Sequence, residues 1–211
     1  MTGNQLTPVR SAEELTEQAE DWRLLAKLLE PPRVDWRQQL LDASVDTVDP
    51  ELEVAVKMAQ REGHEYYHQC LFGPDGLLTS RESEHRFERD RGAVIADLKG
   101  LAESLGYSRI GREPVDHIVA LVGLMAHVAT LEAEAITAEE VGEAMYLEGI
   151  AEWLRRGHLA WFADQITRAL RETDVCYLSH VAYALEARVL PPGKKVRPVP
   201  RPSSGPSNNP T

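Results

Sequence analysis

Apolar residues recur three and four positions apart along most of this chain, and no run alternates at every second position. Leu15, Ala19, Trp22, Leu25, Ala26 and Leu29 form the first such stripe, behind a capping box made by Ser11 and Glu14. Pro31 and Pro32 end that helix. A short helix follows from about Asp35 to Ala43. Asp49 as cap and Pro50 in the first turn open a third, with Leu52, Val56 and Ala59 facing inward. Gly63 interrupts the pattern before Tyr66, Cys70 and Leu71. Phe72 to Ser80, "FGPDGLLTS", carries Gly-Pro and Asp-Gly turn signals and reads as a loop. Thr79 with Glu82 predicts a capping box for a helix ending near Leu105 and Gly106.

The stretch from Glu113 predicts the most apolar helix. Pro114 suits its first position, which makes Glu113 the N-cap and puts Asp116 at the third position, where a carboxylate meets the positive helix end. Ile118, Leu121, Val122, Met125, Val128 and Leu131 form its buried stripe, with His117 at the edge. Thr137 and Glu140 predict another capping box, Gly157 a stop or kink, and two amphipathic segments ending near Leu190 complete the pattern. The expectation is one all-α domain over residues 11–190, a bundle of about eight helices, between a flexible N-terminus (1–10) and a disordered, polyproline-like tail (191–211). Seven of the thirteen prolines lie in that tail, which is why it cannot continue a helix.

Charge sharpens this picture. Four of the 23 Lys and Arg residues (Lys194, Lys195, Arg197, Arg201) lie in the tail, which holds no acid; 19 remain against 34 acids, a net charge of −15 on the body. Such a surface repels nucleic-acid phosphates and attracts a basic peptide. Cys70 and Cys176 stand far apart in helical patterns and are expected to be small core residues of a reduced, cytoplasmic chain. No apolar signal region occupies the first 30 residues, and no membrane-length apolar run is expected.

Candidate chemistry is sparse. Glu65 with His68, and Glu82 with His85, have the i, i+3 spacing of di-metal carboxylate bundles, which makes a metal-dependent helical enzyme one alternative. A helical adaptor acting through the Pro-rich tail is another. Asp116 and His117 are adjacent, so on a helix their side chains diverge by about 100° and do not form a catalytic pair. The chain has no G-x-S-x-G, no G-x-G-x-x-G and no P-loop, so the residues point to a non-enzyme without a resident cofactor.

Three segments carry a likeness to a known family: "EYYHQCLFGPDGLLTSRESEH" from Glu65, "EPVDHIVALVGLMAHV" from Glu113, and "HLAWF" from His158. In order and spacing, from about Leu15 to Leu185, the chain resembles the TorD/DmsD/NarJ chaperones of molybdopterin oxidoreductases. Tyr67, Leu71, Phe72, Gly73 and Pro74 match the first motif; Glu113, Pro114, Asp116 and His117 the second; His158, Leu159 and Trp161 the third. His85 stands where relatives often have an aromatic residue. The resemblance implies an all-α fold and a cytoplasmic, system-specific chaperone. Such a chaperone binds the N-terminal, usually twin-arginine, leader of a molybdopterin oxidoreductase catalytic subunit. It holds the apo-enzyme through cofactor insertion, assembly and export proofreading. On that reading Asp116, His117, Glu113, Phe72, Leu71, Tyr67, Trp161 and His158 bind the leader, Pro114, Gly73 and Pro74 shape the site, and the chain is a monomer or a domain-swapped dimer.

Overall fold

The computed structural model describes residues 10–45, 47–73, 76–108 and 113–189. The termini expected to be flexible or proline-rich, and Pro74, lie outside these. The described residues form helices α1 (Ala12–Leu29), α2 (Trp36–Ala43), α3 (Pro50–Glu62), α4 (Glu65–Phe72), α5 (Glu82–His85), α6 (Glu88–Ser104), α7 (Ile118–Thr137), α8 (Val141–Leu154), α9 (Ala160–Arg171) and α10 (Cys176–Val189). A π-helical turn, Arg155–Leu159, joins α8 to α9 without a break. With α8, the turn and α9 taken as one helix, eight long helices and the single turn of α5 make up the all-α bundle that the periodicity predicts. No strand ladder occurs among the described residues.

The core forms where the apolar stripes meet. α7 lies along α1, and α10 packs against α3 and α9. Leu25, Leu29, Leu121, Val122, Phe162 and Leu185 are all fully buried in one cluster. α7 is long and apolar enough to cross a membrane by length and composition, contrary to the expectation that no such run exists, but 78% of its apolar window is buried inside the fold. Its hydrophobicity is spent on the neighbouring helices.

Local signals placed two starts correctly. Ser11 Oγ accepts the Glu14 N–H at 3.2 Å while Glu14 accepts the Ser11 N–H at 2.8 Å. Asp49 accepts from the N–H groups of Glu51 and Leu52 at 2.8 and 3.2 Å. Three other starts differ from expectation. Thr79 caps nothing: Glu82 is drawn into the interior, so the expected long helix splits into α5 and α6. Thr137 ends α7, its hydroxyl donating back to the Ala133 carbonyl, and Glu139 makes the reversal into α8 at a φ of 60°. α7 itself starts one turn later than Pro114 suggests, at Ile118, because residues 115 and 116 are held as a turn by the strap described below.

Gly157 sits inside the π turn, where the helix widens and continues instead of stopping. The cysteines are a correction: Cys70 and Cys176 are both exposed. Near the end of α4 and at the start of α10, the bulkier neighbours Leu71 and Tyr177 take the inward positions instead.

Candidate functional site

A short strap between α4 and α6 organises the polar part of the molecule. Residues 80–83 run antiparallel to residues 116–118. The Glu82 N–H donates to the Asp116 carbonyl at 2.9 Å, the Ile118 N–H donates to the Ser80 carbonyl at 2.9 Å, and Arg81 and His117 stand opposite one another. This pairing decides what Asp116 does. Its side chain is fully buried and its carboxylate accepts Arg81 Nε at 3.3 Å, Arg81 Nη2 at 3.2 Å and the Ser83 N–H at 3.3 Å. Asp116 is therefore neither at the third position of α7 nor presented to a ligand. It ties the strap to the front of the core helix.

His117, not Glu113, is the N-cap. Its Nδ1 accepts the Val119 N–H at 3.3 Å, so that nitrogen carries no proton, and Nε2 lies 3.8 Å from the Glu113 carboxylate. Burial pushes its pKa down to about 4, with His68 and Arg81 adding in the same direction and Asp116 opposing. His68 is also lowered by burial, and its Nε2 donates to the Leu29 carbonyl at 3.0 Å.

The strap's second bolt is Glu82, also fully buried. One carboxylate oxygen lies 2.8 Å from His158 Nδ1; the other accepts Arg86 Nε at 3.0 Å. Arg86 goes on to donate to the Gly157 carbonyl at 2.7 Å and lies over the Trp161 ring, 4.3 Å from its centroid. Trp161 Nε1 donates to the same carbonyl at 3.1 Å. The π turn is what aims His158 inward and leaves the Gly157 oxygen open to these donors.

A groove of about 600 Å³ opens beside this strap. Phe72 and Gly73 from the end of α4, Arg81 and Glu84 from the strap, and Glu113, Pro114 and His117 from the approach to α7 line it, with Glu65, His68 and Arg33 at its other side. It joins an apolar wall to acids at the rim, and His117 offers an Nε2–H on its floor. α4 separates it from a second cleft of about 450 Å³, where Tyr67, Cys70 and Leu71 face Leu77 and Val175.

The residues that the sequence singled out thus divide into three places. Phe72, Gly73, Glu113, Pro114 and His117 share the groove. Tyr67, half exposed, and Leu71, buried, belong to the far side of α4. His158 and Trp161 sit in the strap's anchor, and Asp116 lies beneath it. Arg81 and Arg86 were missed as functional positions, and Glu82 was read only as a helix cap and an alternative metal ligand. The only signal for them was the density of charge in "SRESEHR", and burial of a carboxylate cannot be read from that. The alternative quartet does not assemble as a metal site. Glu65 is exposed, His68 bonds to Leu29, Glu82 to His158, and His85 to the Thr79 carbonyl at 2.9 Å. Among the described residues no three His, Cys, Asp or Glu side chains are grouped to hold a metal ion. Compared with models of protein families, with curated proteins and with solved structures, the chain has no match.

Proposed function

We propose that this protein is a chaperone of the kind its motifs resemble. On this reading it is a cytoplasmic, non-enzymatic binder of the N-terminal leader and apo form of a molybdopterin oxidoreductase catalytic subunit. The observation that carries the proposal is a convergence: two of the three segments that bear the resemblance, 80–85 and 113–118, are bonded to each other and wall one groove, while the third, at His158, anchors the strap between them.

The groove's chemistry suits a peptide with an apolar stretch beside basic residues. Phe72, Leu78 and Pro114 offer an apolar wall, and Glu65, Glu84 and Glu113 offer carboxylates to guanidinium groups. The net −15 of the body steers a basic leader inward. Asp116 acts here by holding Arg81 and the strap in place, and the neutral His117 donates from Nε2 to a peptide carbonyl.

Titration calorimetry with a twin-arginine leader peptide tests this reading. The expected result is micromolar binding that weakens steeply with salt and weakens again in Glu84→Lys. Absence of heat at low salt and micromolar protein would overturn it.

A further inference from the structure

Helix α8 packs on the core by one face, where Ala144, Leu147, Ile150 and Leu154 are buried. The opposite face carries Gly142, Met145, Tyr146, Gly149 and Trp153, all exposed and none charged. A helix lying on a globular protein ordinarily turns charged and polar residues to that side. Trp153 is set in place by His158, their ring centroids 4.3 Å apart, and still leaves 43% of its surface outside; Tyr146 leaves 56%. The glycines are the second unusual feature, because glycine favours a helix less than any residue but proline. A Cβ added to Gly142 or Gly149 would meet nothing within 4 Å, so no contact inside this chain needs either position empty. Their seven-residue spacing, continued by Arg156, keeps the three in line on one side of the helix. A glycine-floored strip between Met145 on one side and Tyr146 and Trp153 on the other is shaped for another helix that comes close.

Charge says which helix. At the start of α8, Glu139, Glu140 and Glu143 are exposed and make no ion pair among the described residues. Just past its end, Arg156 is largely exposed; its Nε meets Glu152, and its two Nη groups have no partner among the described residues. One end of the helix is thus acidic and the other offers unused guanidinium donors. A second copy of α8 laid antiparallel sets Arg156 at the acidic start of the other helix, and does so twice. Laid parallel, acids would face acids and arginine would face arginine.

We propose that the outer face of α8 is a self-association surface, on which two copies of this chain pair antiparallel about a two-fold axis at Gly149. In that register Gly142 lies level with Arg156 of the second copy, and Tyr146 lies level with Glu152 and Trp153 of the second copy, so two Tyr–Trp contacts flank the axis. The ion pairs at the ends set the orientation, and the apolar strip supplies the attraction. Full burial of a Tyr or Trp covers about 150–250 Å². Half of that from each, with Val141, Met145 and the bare glycine backbone, gives on the order of 400 Å² per copy, about 800 Å² in all. A stable complex takes roughly 1,200 Å² or more, so this dimer is weak and forms in the micromolar range. The pairing uses neither the strap nor the leader groove and holds whether or not a leader binds.

Sedimentation equilibrium of the full chain tests it, in about 0.15 M salt, where the repulsion of the acidic bodies is screened beyond roughly 8 Å. The expected result is a reversible monomer–dimer equilibrium at tens to hundreds of micromolar protein. Tyr146→Glu, on the exposed face, should weaken it about tenfold or more. Arg156→Glu should weaken it too, and Arg156→Glu combined with Glu139→Lys and Glu143→Lys in one chain should restore it. Oxidation of a chain carrying Cys70→Ser and Cys176→Ser reads the register. Gly149→Cys, at the axis, should form an intermolecular disulfide, whereas Gly142→Cys, roughly 20 Å from its counterpart, should not. Three results would each overturn the proposal: a chain that stays monomeric up to millimolar concentration, a dimer indifferent to Tyr146→Glu, or Gly142→Cys coupling as fast as Gly149→Cys. A persistent monomer whose Met145 methyl signal moves on adding a twin-arginine leader peptide would give this face to the leader instead.

Discussion

The α1–α7–α10 core and the strap around α5 are buried equally well by opposite means. Leu25, Leu121 and Leu185 are inaccessible in the core; Glu82 and Asp116 are inaccessible in the strap. In the core each side chain has many interchangeable neighbours, and its stability is roughly proportional to apolar area. In the strap each buried carboxylate is held by two or three particular donors, and removing one partner strands the rest. The difference teaches where this fold is tolerant and where it is specific. Shape-conserving changes should pass in the core. In the strap, even a change that keeps shape but loses charge should be felt.

The largest expected effect breaks the core. Leu121→Ala, at the centre of α7, should cost about 2–5 kcal/mol, read as a lower urea midpoint, whereas Leu121→Met should cost less than about 1.5 kcal/mol. Next comes the strap: Glu82→Gln keeps volume but leaves His158 and Arg86 without their carboxylate, and should cost about 3 kcal/mol. Replacing Glu82 and His158 together by Leu and Phe should recover part of that loss, since it removes the buried Glu–His pair whole and leaves Arg86, which is partly exposed, its bond to the Gly157 carbonyl. If the double variant is as unstable as the single one, the strap is not held by pairing and the contrast with the core fails.

A pH series sharpens the same contrast, because the core does not titrate. The folded-state pKa of His117 is held near 4, below the ordinary 6.5 of the unfolded chain. The unfolded state therefore binds the extra proton between these values. Stability from keeping His117 neutral is complete above about pH 6.5 and is lost as pH falls toward 4, on the order of 3 kcal/mol. His68, lowered by burial, acts in the same direction. His117→Asn keeps a capping oxygen but removes the titration, so its urea midpoint should change less between pH 7 and pH 4 than that of the unchanged protein. The smallest effect belongs to the surface cap of α1: Ser11→Ala should cost about 1 kcal/mol at pH 7, measurable by thermal melting.

Much of the bundle was legible. The stripes of α1, α3 and α7 and the caps at Ser11 and Asp49 rest on interactions within a few residues, so local spacing carries them. The failures share a cause. Glu113-Pro114-x-Asp116 has the composition of a helix front, but a strap 33 to 35 residues earlier in the chain claims Asp116 and delays the helix to Ile118. Thr79 and Glu82 have capping spacing, but His158, 76 residues on, takes the glutamate away. Cys70 looked like a core residue because the helical pattern around it did not say which side of so short a helix turns inward.

The motif residues were found before their roles were. His117 was placed at the edge of the apolar stripe, with Glu113 as the cap; it proves to be the cap itself, with its Nδ1 turned to Val119. Asp116 and His158 were placed among residues that touch a ligand, and both hold the strap instead.

By itself, the sequence determined the all-α class, the number of long helices, the apolar faces and the acidic body, because periodicity, propensity and net charge are properties of neighbouring residues and of sums. Only the tertiary structure decided which carboxylates are buried, which histidine caps, and which motif residues share a groove. Those outcomes depend on donors brought from distant parts of the chain, and a buried charge is stable only where such a donor arrives.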